Sequence, residues 1–184
     1  MNKPQELRTP RLLLRRWRLD DRPAFAKINA DSRVMEHFPD VLTAAESDAL
    51  ADRIELHFEE HAFGPWAVEV PGVAPFVGFV GLSVPRFEAH FTPCVEIGWR
   101  LGREHWGHGY ASEAARAALA FGFEALALQE IVAFTVPENR RSRDVMHRIG
   151  MSHAPSDDFD HPEAPERLKR HVLYRATRTA YLVR

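Results

Sequence analysis

A single cysteine among 184 residues, Cys94, allows no internal disulfide and no thiolate metal cluster, a usage that fits a reducing compartment. No run approaches the roughly 18 apolar residues needed to cross a bilayer. The opening MNKPQELRTP carries no apolar signal region, so the expected location is the cytoplasm, with no membrane partner. Nor is there an excess of one charge: 24 Lys and Arg against 26 Asp and Glu leave a formal net charge of −2, which speaks against nucleic acid as a partner. Internal repeats and low-complexity tracts are missing too. What is present is 45% hydrophobic and 27% charged residues, the balance of an ordinary soluble enzyme. The length suits one domain, residues 1–184, around a full core.

Strand and helix patterns alternate along the chain. Residues 11–17 (RLLLRRW) read as a first strand, followed by the N-cap candidates Asp20 and Asp21 and a short helix with Pro23 in its first turn, ending near Ala30. Residues 43–61 (TAAESDALADRIELHFEEH) predict an amphipathic helix capped by Thr43, with Glu46 completing a capping box and Leu50, Ile54 and Phe58 as its apolar stripe. Gly64-Pro65 is its stop signal. Residues 66–70 (WAVEV), 76–84 (FVGFVGLSV) and 95–101 (VEIGWRL), separated by proline and glycine, predict three consecutive antiparallel strands. A long helix within 103–122 follows, then a strand at 130–136 (EIVAFTV), a helix at 140–149 closed by Gly150, and a final strand at 171–177 (HVLYRAT). The proline-rich segment 155–165 reads as a surface loop. The fold class is therefore α/β, a mixed sheet with helices on both faces.

The stretch REHWGHGYASEAARAALAFG (103–122) runs a Gly-x-Gly turn into an alanine-rich helix. The first N–H groups of a helix have no intrahelical acceptor and carry partial positive charge, so such a turn can hold phosphate oxygens. Gly107 and Gly109 would let the backbone approach them unobstructed. Neither GxxxxGK[ST] nor GxGxxG is matched, because Ser112 stands where the third glycine would be. A tight turn before a core helix accounts for the glycines as well. The small face Ala111, Ala114, Ala115, Ala118 and Gly122 would let the helix lie close on a sheet, although alanine is also the best helix former. In the preceding strand, Gly98 marks a bulge or a close approach by a ligand, and a bulge would free N–H groups to bind a ligand carbonyl.

Beyond this helix EIVAFTV runs into PENRRSRDVMHRIGM, and here the chain resembles the GNAT superfamily of acyl-CoA-dependent N-acyltransferases, in the branch similar to ribosomal-protein-alanine N-acetyltransferases. The resemblance rests on RLLLRRW, VEIGWRL, WGHGYASEA and the N-x-x-S-x-x-V-M-x-x-x-G-M run from Asn139 to Met151, in that order, and covers nearly the whole chain. It implies a GNAT-like central sheet, mixed and mostly antiparallel, in which two parallel strands, here VEIGWRL and EIVAFTV, splay apart to admit the pantetheine arm of coenzyme A. Acetyl-CoA is the implied cosubstrate, with no metal. The superfamily's pyrophosphate loop, [Q/R]-x-x-G-x-[G/A], falls on Trp106, Gly107, His108, Gly109, Tyr110 and Ala111. Trp106 replaces the usual Gln or Arg, which removes that side-chain contact and leaves the backbone N–H groups; the indole can pack under the loop. The cofactor strand is implied to contribute Ile97, Gly98, Trp99, Arg100 and Leu101, with Asn139 holding the pantetheine amides and Ser142 beside it. Arg140, Arg141 and Arg143 lie at the same end of the sheet, where they either pair with coenzyme A phosphates or form a solvated helix face. A homodimer is expected by resemblance only.

The implied reaction is direct acetyl transfer from the thioester to a primary amine, either a peptide N-terminus or a small molecule, through a tetrahedral intermediate. An alkylammonium has no lone pair, so a base must first remove a proton. Glu96 is the candidate, acting through a water: it alternates with Val95, Ile97 and Trp99 and so projects away from that apolar set. A strand carboxylate paired with an arginine is the other reading. Backbone N–H groups around Gly98 suit the oxyanion. The departing thiolate, with a pKa of about 8.5 by analogy with cysteine, needs only modest acid assistance. Many relatives place a tyrosine on the fourth helix for this task; residues 140–150 contain none, and the resemblance points to Ser142, where a helix N-cap is equally natural. A GNAT-like acyl-CoA binder without catalysis, serving as a sensor or regulatory module, is the alternative, and retention of Glu96, Asn139 and Ser142 together favours the enzyme.

Three further features invite chemical readings. His57-Phe58-Glu59-Glu60-His61 matches the H-x-x-E-H metalloprotease pattern, but it lies in an acidic amphipathic helix with no evident third ligand, so chance accounts for it. Cys94 reads as a small buried hydrophobe, since no activating histidine is identified for it. His161 and His171 are candidates for lining the acceptor side. The acidic groups of the 43–61 helix would attract a cationic amine or simply form a solvated surface.

Overall fold

The computed structural model describes residues 6–183, so part of the opening MNKPQELRTP lies outside the described residues. Along the chain run β1 (Leu7–Arg8), β2 (Leu13–Arg15), α1 (Arg22–Ala30), α2 (Ala44–His61), β3 (Pro65–Val70), β4 (Ala74–Ser83), β5 (Glu96–Leu101), α3 (Tyr110–Glu124), β6 (Glu130–Thr135), α4 (Arg140–Arg148), β7 (Ser152–His153), β8 (Phe159–Asp160), β9 (Arg170–Thr177) and α5 (Arg178–Leu182). The sheet has the order β1-β2-β3-β4-β5-β6-β9-β7, with β8 pairing β9. Every described pair is antiparallel except β5 with β6.

Local chemistry accounts for much of this. Thr43 caps α2 as expected: its hydroxyl accepts the Glu46 N–H, and the Glu46 carboxylate accepts the Thr43 N–H at 2.8 Å. The helix ends at Ala62, in the left-handed region at φ 58°, earlier than the Gly64-Pro65 signal. Gly64 has a different reason to be glycine, since a Cβ there would lie 2.8 Å from the Phe58 ring. Sheet alternation divides the core between two faces. On one, Ala114, Ala115 and Ala118 of α3 lie against Val80, Leu82, Ile97 and Leu101. The close approach extends to Gly122, where a Cβ would meet Ile131 Cδ1 at 2.5 Å. On the other, Phe25 and Ile28 of α1 pack with Ala67 and Phe76.

An ion cluster ties the start of α1 to the sheet. The Arg15 side chain, 2% exposed, donates to both Asp21 oxygens at 2.8 Å, to Glu69 at 2.8 Å and to the Pro75 carbonyl at 2.7 Å. Every one of its nitrogens has an acceptor, which is the condition under which a buried guanidinium is tolerated.

Three expectations differ from what is observed. The strand at 11–17 is regular only over Leu13–Arg15, because the Thr9 N–H donates to Leu12 O at 3.0 Å and turns the chain back into β1. On its other side, the Trp17 indole leaves the ladder to bond Pro65 O at 2.7 Å. Segment 155–165 is not wholly loop: Phe159, 6% exposed, packs against Phe91 and Phe134 and brings β8 into pairing with β9. Gly98 makes no bulge, since β4 and β5 stay in unbroken register from Gly78 opposite Leu101 to Ser83 opposite Glu96.

Candidate active site

The parallel pair β5–β6 meets at one place only. Glu96 stands opposite Val132, closed by the Val132 N–H donating to Val95 O at 2.9 Å, and beyond this the two strands part. Peptide groups alternate between the two edges of a strand, so the Val95 carbonyl fixes which ones face the gap. Those of Trp99 and Leu101 lie on the open edge, while Gly98 and Arg100 bond into the ladder with β4. The N–H groups that face the opening are thus those of Trp99 and Leu101, freed by the divergence of the strands and not by a bulge.

At one end of the gap sits the glycine turn. Gly107 and Gly109 adopt φ of 80° and 79°, and a Cβ on Gly107 would meet nothing within 4 Å. Glycine is needed at this turn for its backbone angle more than for space. Gly109 is the N-cap of α3 and supplies no side-chain cap. The first helical bond is Glu113 N–H to Gly109 O at 3.0 Å, leaving the N–H groups of Tyr110, Ala111 and Ser112 without helical acceptors at the cleft wall. The Glu113 carboxylate fixes this end of α3 by accepting from Thr9 at 2.6 Å and from Arg11 Nε at 2.7 Å, while Arg11 also donates to His108 O at 3.0 Å. Trp106 donates its indole N–H to Leu101 O at 2.9 Å and lies under the Arg141 guanidinium, 4.4 Å from ring centre. The tryptophan thereby ties the turn to the end of β5. His108 stacks on Tyr110 with ring centres 5.4 Å apart, and of the two only Tyr110 lines the cleft.

The gap opens into a cleft of about 1540 Å³. Glu96 and Arg100 both line it, on the strand face that α3 does not cover, and they flank Gly98. A Cβ on Gly98 would have as its one neighbour a Glu96 oxygen at 3.6 Å, so the space above this glycine belongs to the cleft. No arginine pairs with Glu96 among the described residues, which removes the ion-pair reading. Desolvation alone raises its carboxyl to about 7, a value suited to taking a proton near neutrality.

On the opposite lip, Asn139 is the N-cap of α4, its Oδ1 accepting the Ser142 N–H at 3.2 Å and its Nδ2 donating to Thr135 Oγ1 at 2.9 Å. The cap is therefore Asn139 and not Ser142, whose hydroxyl has no protein partner among the described residues. Asn139 retains one N–H and its second lone pair for a ligand. Of the three arginines, Arg141 lines the cleft and pairs with Glu36 at 2.9 Å, whereas Arg143 turns to Tyr174 and Pro137 O. Arg140 is exposed and does not line the cleft.

The remaining candidates settle differently. His57 donates from Nδ1 to Phe63 O at 2.9 Å and accepts the Val84 N–H at Nε2 at 3.0 Å, so both ring nitrogens are spent, one on the chain leaving α2 and one on the residue after β4. Burial lowers its pKa, consistent with a neutral ring. Among the described residues no group of three or more His, Cys, Asp or Glu is placed to hold a metal ion. Cys94 is half-buried beside the aromatic cluster of β8, and burial pushes its thiol up to about 11. His161 and His171 both line the cleft, their ring centres 5.2 Å apart. Two contributions were not anticipated from the sequence: Phe38, from the segment between α1 and α2, covers the Arg100 guanidinium, and Asn29 of α1 accepts from it.

A sheet opened between two parallel strands, with a helix N-terminus at one end of the opening, is the architecture this chain shares with acetyltransferases of solved structure. The model of the acetyltransferase (GNAT) domain matches residues 11–152, and the chain belongs to this family. It is an acetyl-CoA-dependent N-acetyltransferase. It is 31% identical over 144 residues to the uncharacterized N-acetyltransferase YnaD of Bacillus subtilis, an alignment spanning 78% of this chain and 80% of YnaD. The solved structure of a GNAT-family acetyltransferase from Bacillus anthracis is similar at a TM-score of 0.79 and 26% identity, over 95% of this chain and 99% of that one. Mycobacterium smegmatis RimJ in complex with CoA-disulfide shares the fold at a TM-score of 0.73 and 20% identity, over 94% and 85% of the two chains. Among the described residues no helix is long and apolar enough to cross a membrane.

Proposed function

We propose that the chain acts in the cytoplasm as one acetyltransferase domain, moving an acetyl group directly onto a primary amine, with Glu96 as the base. The observation that carries this reading is the unpaired Glu96 carboxylate at the point where β5 leaves β6. The fit to acetyl-CoA is a physical one: the unpaired N–H groups of Tyr110, Ala111 and Ser112 suit pyrophosphate oxygens, and the open edge of β5 suits the amides of the pantetheine arm. The cosubstrate supplies an acetyl group activated as a thioester. Glu96 takes a proton from the ammonium through a water, releasing the nitrogen lone pair for attack on the acyl carbon. The Trp99 N–H is aimed at the edge where charge gathers on the acyl oxygen. As the carbon–sulfur bond breaks, the Ser142 hydroxyl gives a proton to the sulfur and is reprotonated through solvent by the proton that the newly bonded nitrogen sheds. A peptide N-terminus and a small amine are both acceptors within this reading, and the working unit is a monomer or a homodimer.

A screen of N-terminal peptides and small amines with acetyl-CoA, read by thiol release, tests the proposal. Turnover with at least one amine is expected. Binding of acetyl-CoA with no turnover across the panel would replace the enzyme by a sensor or regulatory module. Ser142→Ala is expected to lower kcat by roughly tenfold, less than the usual contribution of a general acid because a thiolate leaves readily, with the KM for acetyl-CoA within about twofold of wild type. Steady-state kinetics on the screened amine decides this, and an unchanged kcat removes Ser142 from the reaction.

A further inference from the structure

Two arginines of this chain are held by the core in opposite ways. Arg15 has an acceptor for every nitrogen and two carboxylate partners. Arg100 has none of the latter. Its Nη1 donates to Asn29 Oδ1 at 2.6 Å, its Nε is buried without an acceptor, and its Nη2 has no protein acceptor among the described residues. Two aromatic rings flank the guanidinium, Phe38 with its centre 4.1 Å away and Phe79 at 5.6 Å. Burial lowers the pKa of this group to about 10, which leaves it charged at neutral pH. A charged group half-buried without a counter-ion is costly, and the protein nevertheless builds a support for it. Asn29 is 0% exposed and donates from Nδ2 to the buried Ser47 hydroxyl at 2.8 Å, so α1 and α2 together fix the carbonyl that orients Arg100.

The charge on the surrounding walls agrees with this. The acidic residues of α2 do not line the cleft: Glu55 and Glu59 turn to Arg16, Asp48 and Asp52 to Arg22, Glu60 to Arg86, and Glu46 to the Thr43 cap. From α2 the cleft receives Leu50, Arg53, Ile54 and His57 instead.

Building on the proposed amine acetylation, we infer that the acceptor carries a carboxylate as well as its amine, and that Arg100 is the specificity residue that binds it. The Nη2, which has no protein acceptor among the described residues, is the guanidinium group left for a carboxylate oxygen, with the buried Nε beside it on the same edge. Glu96 and Arg100 lie on the same face of one strand with only Gly98 between them, so an amine can sit over Gly98 near the base while its carboxylate reaches the arginine. Asn29 is a positioning residue in this scheme.

The test pairs L-amino acids, β-alanine and 4-aminobutyrate with their carboxamides, adds spermidine as a cationic control, and measures both thiol release with acetyl-CoA and calorimetric binding with coenzyme A present. At least one acid is expected to exceed its amide by roughly 10- to 100-fold in kcat/KM or in affinity, the range for a hydrogen-bonded charge pair. Arg100→Met should reduce that ratio to under about threefold. Asn29→Asp, which keeps the side-chain shape but gives the guanidinium an internal counter-ion, should do the same, and it guards against misfolding of the first variant. Amides or spermidine bound as well as the acids, or a preference that survives both variants, would overturn the inference. Absence of turnover with intact acid-selective binding would instead count against the proposed reaction and leave the role of Arg100 standing.

Discussion

Glu96→Gln is expected to cut kcat by roughly 10²- to 10⁴-fold, the usual contribution of a positioned general base, with little change in acetyl-CoA affinity. In the wild type the base form is populated only above a pKa of about 7, so kcat/KM should rise with pH to near neutrality and then level off. The same substitution should stabilise the fold. A carboxyl raised by desolvation holds its proton in the folded state after the unfolded chain has lost it, so its contribution is fully present below about 4.5 and is lost as pH rises through about 7. Above that, the half-buried anion costs on the order of 2 kcal/mol, less than the full desolvation shift implies because the cleft admits water, and glutamine avoids it. For a chain of this size the variant should melt roughly 4–8 °C higher at pH 8, and the gap should shrink toward pH 5. Thermal denaturation at the two pH values checks this, and an unchanged or lowered melting temperature at pH 8 would mean that Glu96 is not held at a desolvation cost.

Asp21→Ala should have the largest effect on stability, roughly 3–5 kcal/mol, because it strips the buried Arg15 of a bidentate partner while the guanidinium stays 2% exposed. It also removes the acceptor of the Arg18 N–H, 2.8 Å away, at the turn that leads into α1. A fall in melting temperature of about 10 °C or more is expected. The double variant Arg15→Met with Asp21→Ala should recover part of the loss, since it leaves no uncompensated cation in the core. Denaturant midpoints of the single and double variants measure this. A single-variant cost below about 1 kcal/mol would show that Glu69 and the backbone carbonyls suffice for Arg15.

Local rules explain how much of the molecule could be read in advance. The Thr43 and Glu46 capping box, the antiparallel order of β3, β4 and β5, and the helix after Gly109 depend on residues close in the chain, and each is found where its pattern placed it. Glu96 was recognisable because strand alternation sets it apart from Ile97 and Trp99. The misreadings share a cause as well. Gly98 carries the mark of a bulge, yet the free N–H arises because β6, a strand distant in the chain, pairs with β5 only at Glu96 opposite Val132. Phe159 lies in a proline-rich stretch and becomes a strand residue only because Phe91 and Phe134 await it. Trp106 carried no signal of its partner, a carbonyl on the strand behind it.

Residue order alone determined the class of fold, the glycine turn at the head of α3 and the strand bearing the candidate base, because each follows from spacing or composition along the chain. Tertiary structure decided the charge of the acceptor wall. The acids of α2 look available in the sequence, but none of them lines the cleft, and Glu55, Glu59, Asp48 and Asp52 turn to Arg16 and Arg22 from outside the helix. Arg100 looks like an ordinary strand residue until α1 brings Asn29, 71 positions away in the chain, against it. Electrostatic character is a property of which groups are paired and how deeply they are buried, and both are settled by contacts between segments that no local pattern records.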